Sequence, residues 1–183
     1  MSESNGKEFL FLYPIVEYFN AESFIDYNAR ILNRCIDVRY RKKGFNINYA
    51  IFDDCEVSDI VELQPSDRII KVGIDFSSHT QDMLYPSPDE ILKQLNGGVK
   101  QLIIAGFHLW DCVTKLARKA YENGLNVMVD EDLTELFPIR LKDPNFINNL
   151  AGYPTFNPLK LNAGFLDAFK RARKNKPWMW QYY

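Results

Sequence analysis

The sequence predicts a three-layer α/β fold on a mainly parallel sheet with crossover helices. Three observations lead there. Short apolar runs recur without the alternation of a half-exposed strand, amphipathic stripes at helical spacing separate them, and glycines close the helices. Strands that are apolar all round need helices on both faces, and the crossovers between parallel strands are then right-handed.

The elements follow in chain order. Phe9 to Tyr13 is a strand, set between Lys7-Glu8 and Pro14. From Ala21 to about Lys43 the apolar positions Phe24, Tyr27, Ile31, Cys35 and Val38 step by three and four, giving a long helix with a basic last turn and Gly44 as its stop. Asn46 to Phe52 and Ile69 to Ile74 read as the second and third strands. Asp89 to Leu95 is a short helix with Ser87 placed to cap it. Leu102 to Gly106 is a buried strand, Leu109 to Glu122 the helix after it, closed by Asn123-Gly124, and Asn126 to Val129 the next strand. Beyond Phe137 four prolines interrupt the pattern, until a last helix from about Leu161 to Lys174 leads into an aromatic tail. We expect about five or six strands in a single domain over residues 1–183, with a core at 8–137 and a C-terminal extension at 138–183.

Composition narrows the function. The 183 residues are 46% hydrophobic and 14% aromatic, with 22 Lys plus Arg against 24 Asp plus Glu, a net charge of −2. Such a chain can bury roughly two-thirds of its unfolded surface, so its core requires no metal or disulfide. The balanced charge gives no global field for nucleic acid. Phe9 to Val16 is too short to span a bilayer, and the start lacks a basic signal segment, which together predict a cytoplasmic protein without membrane contact. Cys35, Cys55 and Cys112 show no paired spacing and read as free thiols.

In an open parallel sheet, ligands bind beyond the carboxyl ends of the strands. The residues following the strands are Tyr13 and Glu17, then Asp53 and Asp54, Asp75 and His79, Phe107, His108 and Cys112, and Asp130 to Asp132. Cys112 stands out. With Leu109, Val113, Leu116, Ala117, Ala120 and Tyr121 it forms an inward stripe near the start of a helix. It is either a small core hydrophobe or a thiol whose thiolate the helix N-terminus favours. His79 is a candidate base with Asp75 orienting it. Asp53-Asp54 and Asp130-Glu131-Asp132 could in principle hold a divalent cation, although acidic residues at strand ends are common.

Leu102-Ile-Ile-Ala-Gly106, the five residues before Cys112-Val113, the helix ending at Gly124 and the strand leading to Asp132 together resemble the isochorismatase-like cysteine hydrolases. The resemblance covers Phe9 to about Phe137. It implies an isochorismatase-like, Rossmann-like fold, no cofactor, and a small-molecule substrate whose amide or related bond is cleaved through a thioester at Cys112. The family's Lys falls on Lys71, and the substrate edge on Tyr13, Glu17, Phe107 and His108. The family's first-strand Asp, its base, falls on Tyr13 or Pro14. With two histidines and no Asp-x-His, a nicotinamidase-type metal site is not expected. The resemblance further implies a cis peptide at Phe107–His108. Two functions remain open: a divergent cysteine hydrolase, and an inactive member serving as a binding or oligomeric scaffold.

The C-terminal Lys170 to Lys176 run beside Trp178, Trp180, Tyr182 and Tyr183 mixes cations with aromatics, as single-stranded nucleic-acid sites do. A basic last helical turn and a subunit contact account for the same residues. We expect a homo-oligomer with the tail and last helix at its interface. The basic run at Arg39, Arg41, Lys42 and Lys43 is read as a helix end without a partner.

Overall fold

The computed structural model describes residues 6–21, 26–95, 97–152 and 162–180. Among these, five strands form one parallel sheet: β1 (Lys7–Leu12), β2 (Asn46–Ile51), β3 (Arg68–Lys71), β4 (Gln101–Gly106) and β5 (Asn126–Val129), in the order β3-β2-β1-β4-β5. The central strands β1 and β4 are buried along nearly their whole length because both faces are covered. β3 is an edge strand, shorter than its apolar run suggested, and Ile69 on it is half exposed.

Side-chain alternation divides the core in two. Phe9, Phe11, Ile103 and Ala105 face α2 (Asp26–Arg39), which contributes Ile31, Leu32, Cys35 and Ile36. Leu10, Leu12, Leu102 and Ile104 face α5 (Thr114–Glu122), which contributes Leu116, Ala117 and Ala120. The chain leaves β1 in one direction across the sheet and β4 in the other. Helices placed on opposite faces satisfy the right-handed rule for both moves. The reversal point lies between the carboxyl ends of β1 and β4, where open α/β sheets bind ligands.

Several elements differ from the sequence reading. The long helix ends at Arg39; Arg41–Lys43 is a separate 3-10 turn, closed by left-handed Gly44 (φ 79°). The expected helix at Leu109 opens instead with a π turn, Leu109–Val113, and the Thr114 hydroxyl donates to Leu109 O at 2.5 Å across it. Short helices were not foreseen: α1 (Val16–Ala21), α3 (Phe76–Gln81), α6 (Phe137–Arg140) and α7 (Pro144–Asn148). α4 (Pro88–Lys93) has the expected Ser87 cap, and α8 (Ala163–Arg173) is capped by Asn162, whose Oδ1 accepts from Phe165 N at 2.9 Å.

The tail corrects a further expectation. Trp178 and Met179 are buried in their own chain, in the α5-side core, and Val129 N donates to Trp178 O at 2.9 Å. This part of the tail covers the edge of β5 and is not apolar surface waiting for a partner. Tyr182 and Tyr183 lie outside the described residues. No helix among the described residues is long and apolar enough to cross a membrane.

Candidate functional site at the β1–β4 switch point

Two non-glycine residues with positive φ, Tyr13 (φ 59°) and His108 (φ 62°), stand at the carboxyl ends of the two central strands. Left-handed backbone costs such residues roughly 1–2 kcal/mol, and it collects where surrounding structure enforces it. Here Tyr13 lies beside Cys112, and His108 begins the turn that carries it. Gly106 (φ 115°) precedes His108, and these two residues make the turn from strand to helix. That is why the expected cis bond is not needed: Phe107–His108 is trans, as is every peptide bond among the described residues.

Cys112 is 7% exposed. Burial pushes its thiol above the ordinary range. The neighbouring Tyr13 hydroxyl opposes this, Asp111 reinforces it, and Lys115 opposes it. Tyr13 itself is 1% exposed, and burial together with Cys112 holds its phenol protonated well beyond its usual range. The residue beside the thiol is therefore a protonated phenol and not a base. Lys115 is the cation near the thiol; it makes an ion pair with Asp111 at 2.5 Å and lies 3.9 Å from the Tyr85 ring centroid. Its spacing, three residues after Cys112 on one helix face, is the signal that could have found it.

Aromatic rings close over this point. Tyr13 stacks on Phe52 at 4.7 Å between centroids, and Tyr18 meets His108 edge-on at 4.6 Å and Phe76 at 5.6 Å. His79 stacks on Phe52 at 5.0 Å and lies 6.2 Å from His108. Its Nδ1 donates to Leu84 O at 2.7 Å, since a carbonyl only accepts. Leu84, not Asp75, orients the ring. Asp75 begins α3 through its backbone and makes no side-chain cap bond there.

The remaining candidates lie apart. Lys71 Nζ donates to the carbonyls of Asp53 at 3.2 Å and Cys55 at 2.7 Å, fastening the loop after β2. Glu17 is exposed on α1 and lines an open groove with Asp54, Cys55 and Glu56. Asp53 accepts from Gly73 N and Asp54 from Phe76 N, so both carboxylates hold the next loop in place. Phe107 points to the other face, its ring 5.1 Å from Phe19.

The acidic run after β5 is used structurally. Asp130 and Asp132 are ion-paired with buried Arg39 at 2.9 and 2.8 Å, and Asp132 also with Arg140 at 2.9 Å. Arg39 stands at the end of α2, as expected of the basic run, and is also buried in these ion pairs, so guanidinium groups stand where a cation was considered. No group of three or more His, Cys, Asp or Glu among the described residues could hold a metal. Arg173, from the basic run near the C-terminus, is likewise buried, with Glu131 at 2.6 Å and Glu135 at 2.8 Å.

The family model for the isochorismatase domain matches residues 55–155, more than half of the 183. The chain belongs to the isochorismatase family. No curated protein matches it. Among solved structures it is similar to an isochorismatase family protein (18% identity, TM-score 0.49, covering 72% of this chain and 81% of that one). It is also similar to an isochorismatase from Pseudomonas putida KT2440 (18%, 0.46, 70% and 70%) and to the MAR1 ribonuclease of Caenorhabditis elegans (19%, 0.46, 70% and 65%). Within the isochorismatase frame this chain keeps the strand-turn-helix that presents a cysteine, and places Tyr13 at the end of the first strand.

Two predictions arise here. Cys55 is the least buried of the three thiols, raised to about 11 chiefly by burial and then by Asp54; Cys35 is fully buried and raised further. Limited iodoacetamide treatment followed by mass spectrometry should label Cys55 first, Cys112 more slowly and Cys35 last. The second concerns Glu131, raised from 4.5 to about 7 mainly by burial. As pH falls from about 7 to 4.5 the native state takes up a proton that the unfolded chain does not, so this group's contribution to stability rises with acidity. Glu131→Gln should flatten that part of the stability–pH curve, as read by urea midpoints.

Proposed function

We propose that this isochorismatase family member does not hydrolyse a substrate at Cys112, and that it serves as a binding or scaffold protein. The observation that carries this is Tyr13, a buried phenol that burial holds protonated beside Cys112, at the position where the family resemblance places the base. The aromatic cover supports it: Tyr13 and Tyr18 pack with Phe52, Phe76 and His108 around the thiol.

A second reading has two observations in its favour. The Tyr13 hydroxyl and the Lys115 charge both favour the thiolate, so a divergent cysteine hydrolase of small amides would have a hydroxyl and a cation beside its thiol. Amine or ammonia release from a panel of small amides separates the two. Equal, background-level release by the full chain and by Cys112→Ser supports the binding reading; release that requires Cys112 overturns it.

A further inference from the structure

On the face of the sheet opposite Cys112, between the end of β4 and the segment at 133–138, lies a pocket of about 210 Å³. Its apolar walls include Phe11, Leu32, Phe107, Leu133, Phe137 and Pro138, and His108 and Leu109 of the turn leading to Cys112 also line it. Phe11 and Leu133 belong to the buried α2-side core, and the Phe11 and Phe107 rings meet edge-to-face at 6.2 Å, so the walls are preformed. Trp110, 46% exposed, stands at the rim, its Nε1 donating to Glu135 Oε1 at 3.0 Å. Glu135 Oε2 accepts from Arg173 at 2.8 Å.

These features define a ligand. An apolar cavity of about 150 Å³ stays dry and takes benzene, so this one has room for a second ring. Three aromatic walls, Phe11, Phe107 and Phe137, with Trp110 at the rim, suit another ring, offset or edge-on. A carboxylate oxygen that accepts one hydrogen bond keeps capacity for a second, so Glu135 can accept from a ligand N–H or O–H, whereas its charge opposes an anion. We propose that this pocket binds a neutral aromatic molecule carrying one N–H or O–H donor, of the indole or phenol class, with the donor directed to Glu135. The pocket shares His108 with the candidate site, but Cys112, Tyr13 and Tyr18 do not line it, so binding there does not depend on whether Cys112 turns over a substrate.

An amide-resolved NMR titration of the full chain with indole, phenol and benzoate tests this. Indole and phenol should give saturable shifts at millimolar concentration, concentrated at Leu133 to Phe137 and at the Trp110 Nε1–H, with benzoate at least about tenfold weaker. Leu133→Phe, which fills the pocket, should abolish the indole shifts. If that variant does not fold, the wild-type shift map and the benzoate comparison decide. Shifts that never saturate, shifts centred on Tyr18 and His79, or benzoate binding as well as indole would overturn the proposal.

Discussion

Arg39→Met is expected to cost about 3–5 kcal/mol, a large share of the roughly 5–15 kcal/mol that holds an ordinary domain together. Arg39 is 2% exposed. Its Nη1 donates to both Asp130 oxygens at 3.1 and 2.9 Å, its Nη2 to Asp132 at 2.8 Å, and its Nε to Leu150 O at 2.6 Å. Tyr40 also donates to Asp130, and the guanidinium faces the Phe146 ring at 5.4 Å. Methionine fills similar volume but leaves two buried carboxylates short of a cation and the Leu150 carbonyl without this donor, which is the expensive way to break a buried pair. Arg39→Met/Asp130→Asn should recover part of the loss, because one of the stranded charges is gone. Urea midpoints read both variants; an unchanged midpoint for the single variant would show the network to be far weaker than its geometry.

Gly106→Ala should cost at least about 3 kcal/mol. The added Cβ would come within 2.5 Å of Leu12 N and closer still to Leu12 O, both backbone atoms of the paired strand β1, at a φ of 115° that side chains rarely adopt. Neither strand can retreat without breaking the central ladder, so the loss is global. The turn also positions His108 and, through the π turn, Cys112. Near-native stability in this variant would mean that β1 and β4 can separate at their carboxyl ends.

Legibility followed physical range. β1, β4 and the α5 stripe were readable because continuous apolar runs and a 3.6-residue period are local signals, and that period alone put Cys112 on the inward face. β3 came out shorter because an edge strand has one neighbour to fix its length. The partnership of Arg39 with Asp130 spans 91 residues and leaves no periodic trace, so the sequence showed Arg39 only as part of a helix end. Arg173 and Trp178 were misread for the same reason: a basic and aromatic run looks alike whether it is exposed or folded onto its own core. At the thiol, the sequence showed where a carboxylate was missing but not that Tyr13 would turn left-handed and be buried beside the sulfur, since that depends on backbone conformation. Asp75 beside His79 looked like an orienting pair in the sequence; the ring meets Leu84 O because α3 turns the chain back at Met83 (φ 57°).

The pH–rate profile for alkylation of Cys112, followed by mass spectrometry in a Cys55→Ser background, tests the unactivated thiol most directly. With the thiol held above its ordinary value of 9.0 by burial, the rate should climb continuously with pH through neutrality and show no plateau below 9.0. A plateau reached with a midpoint at or below neutral pH would mean a resting thiolate, and would contradict the account.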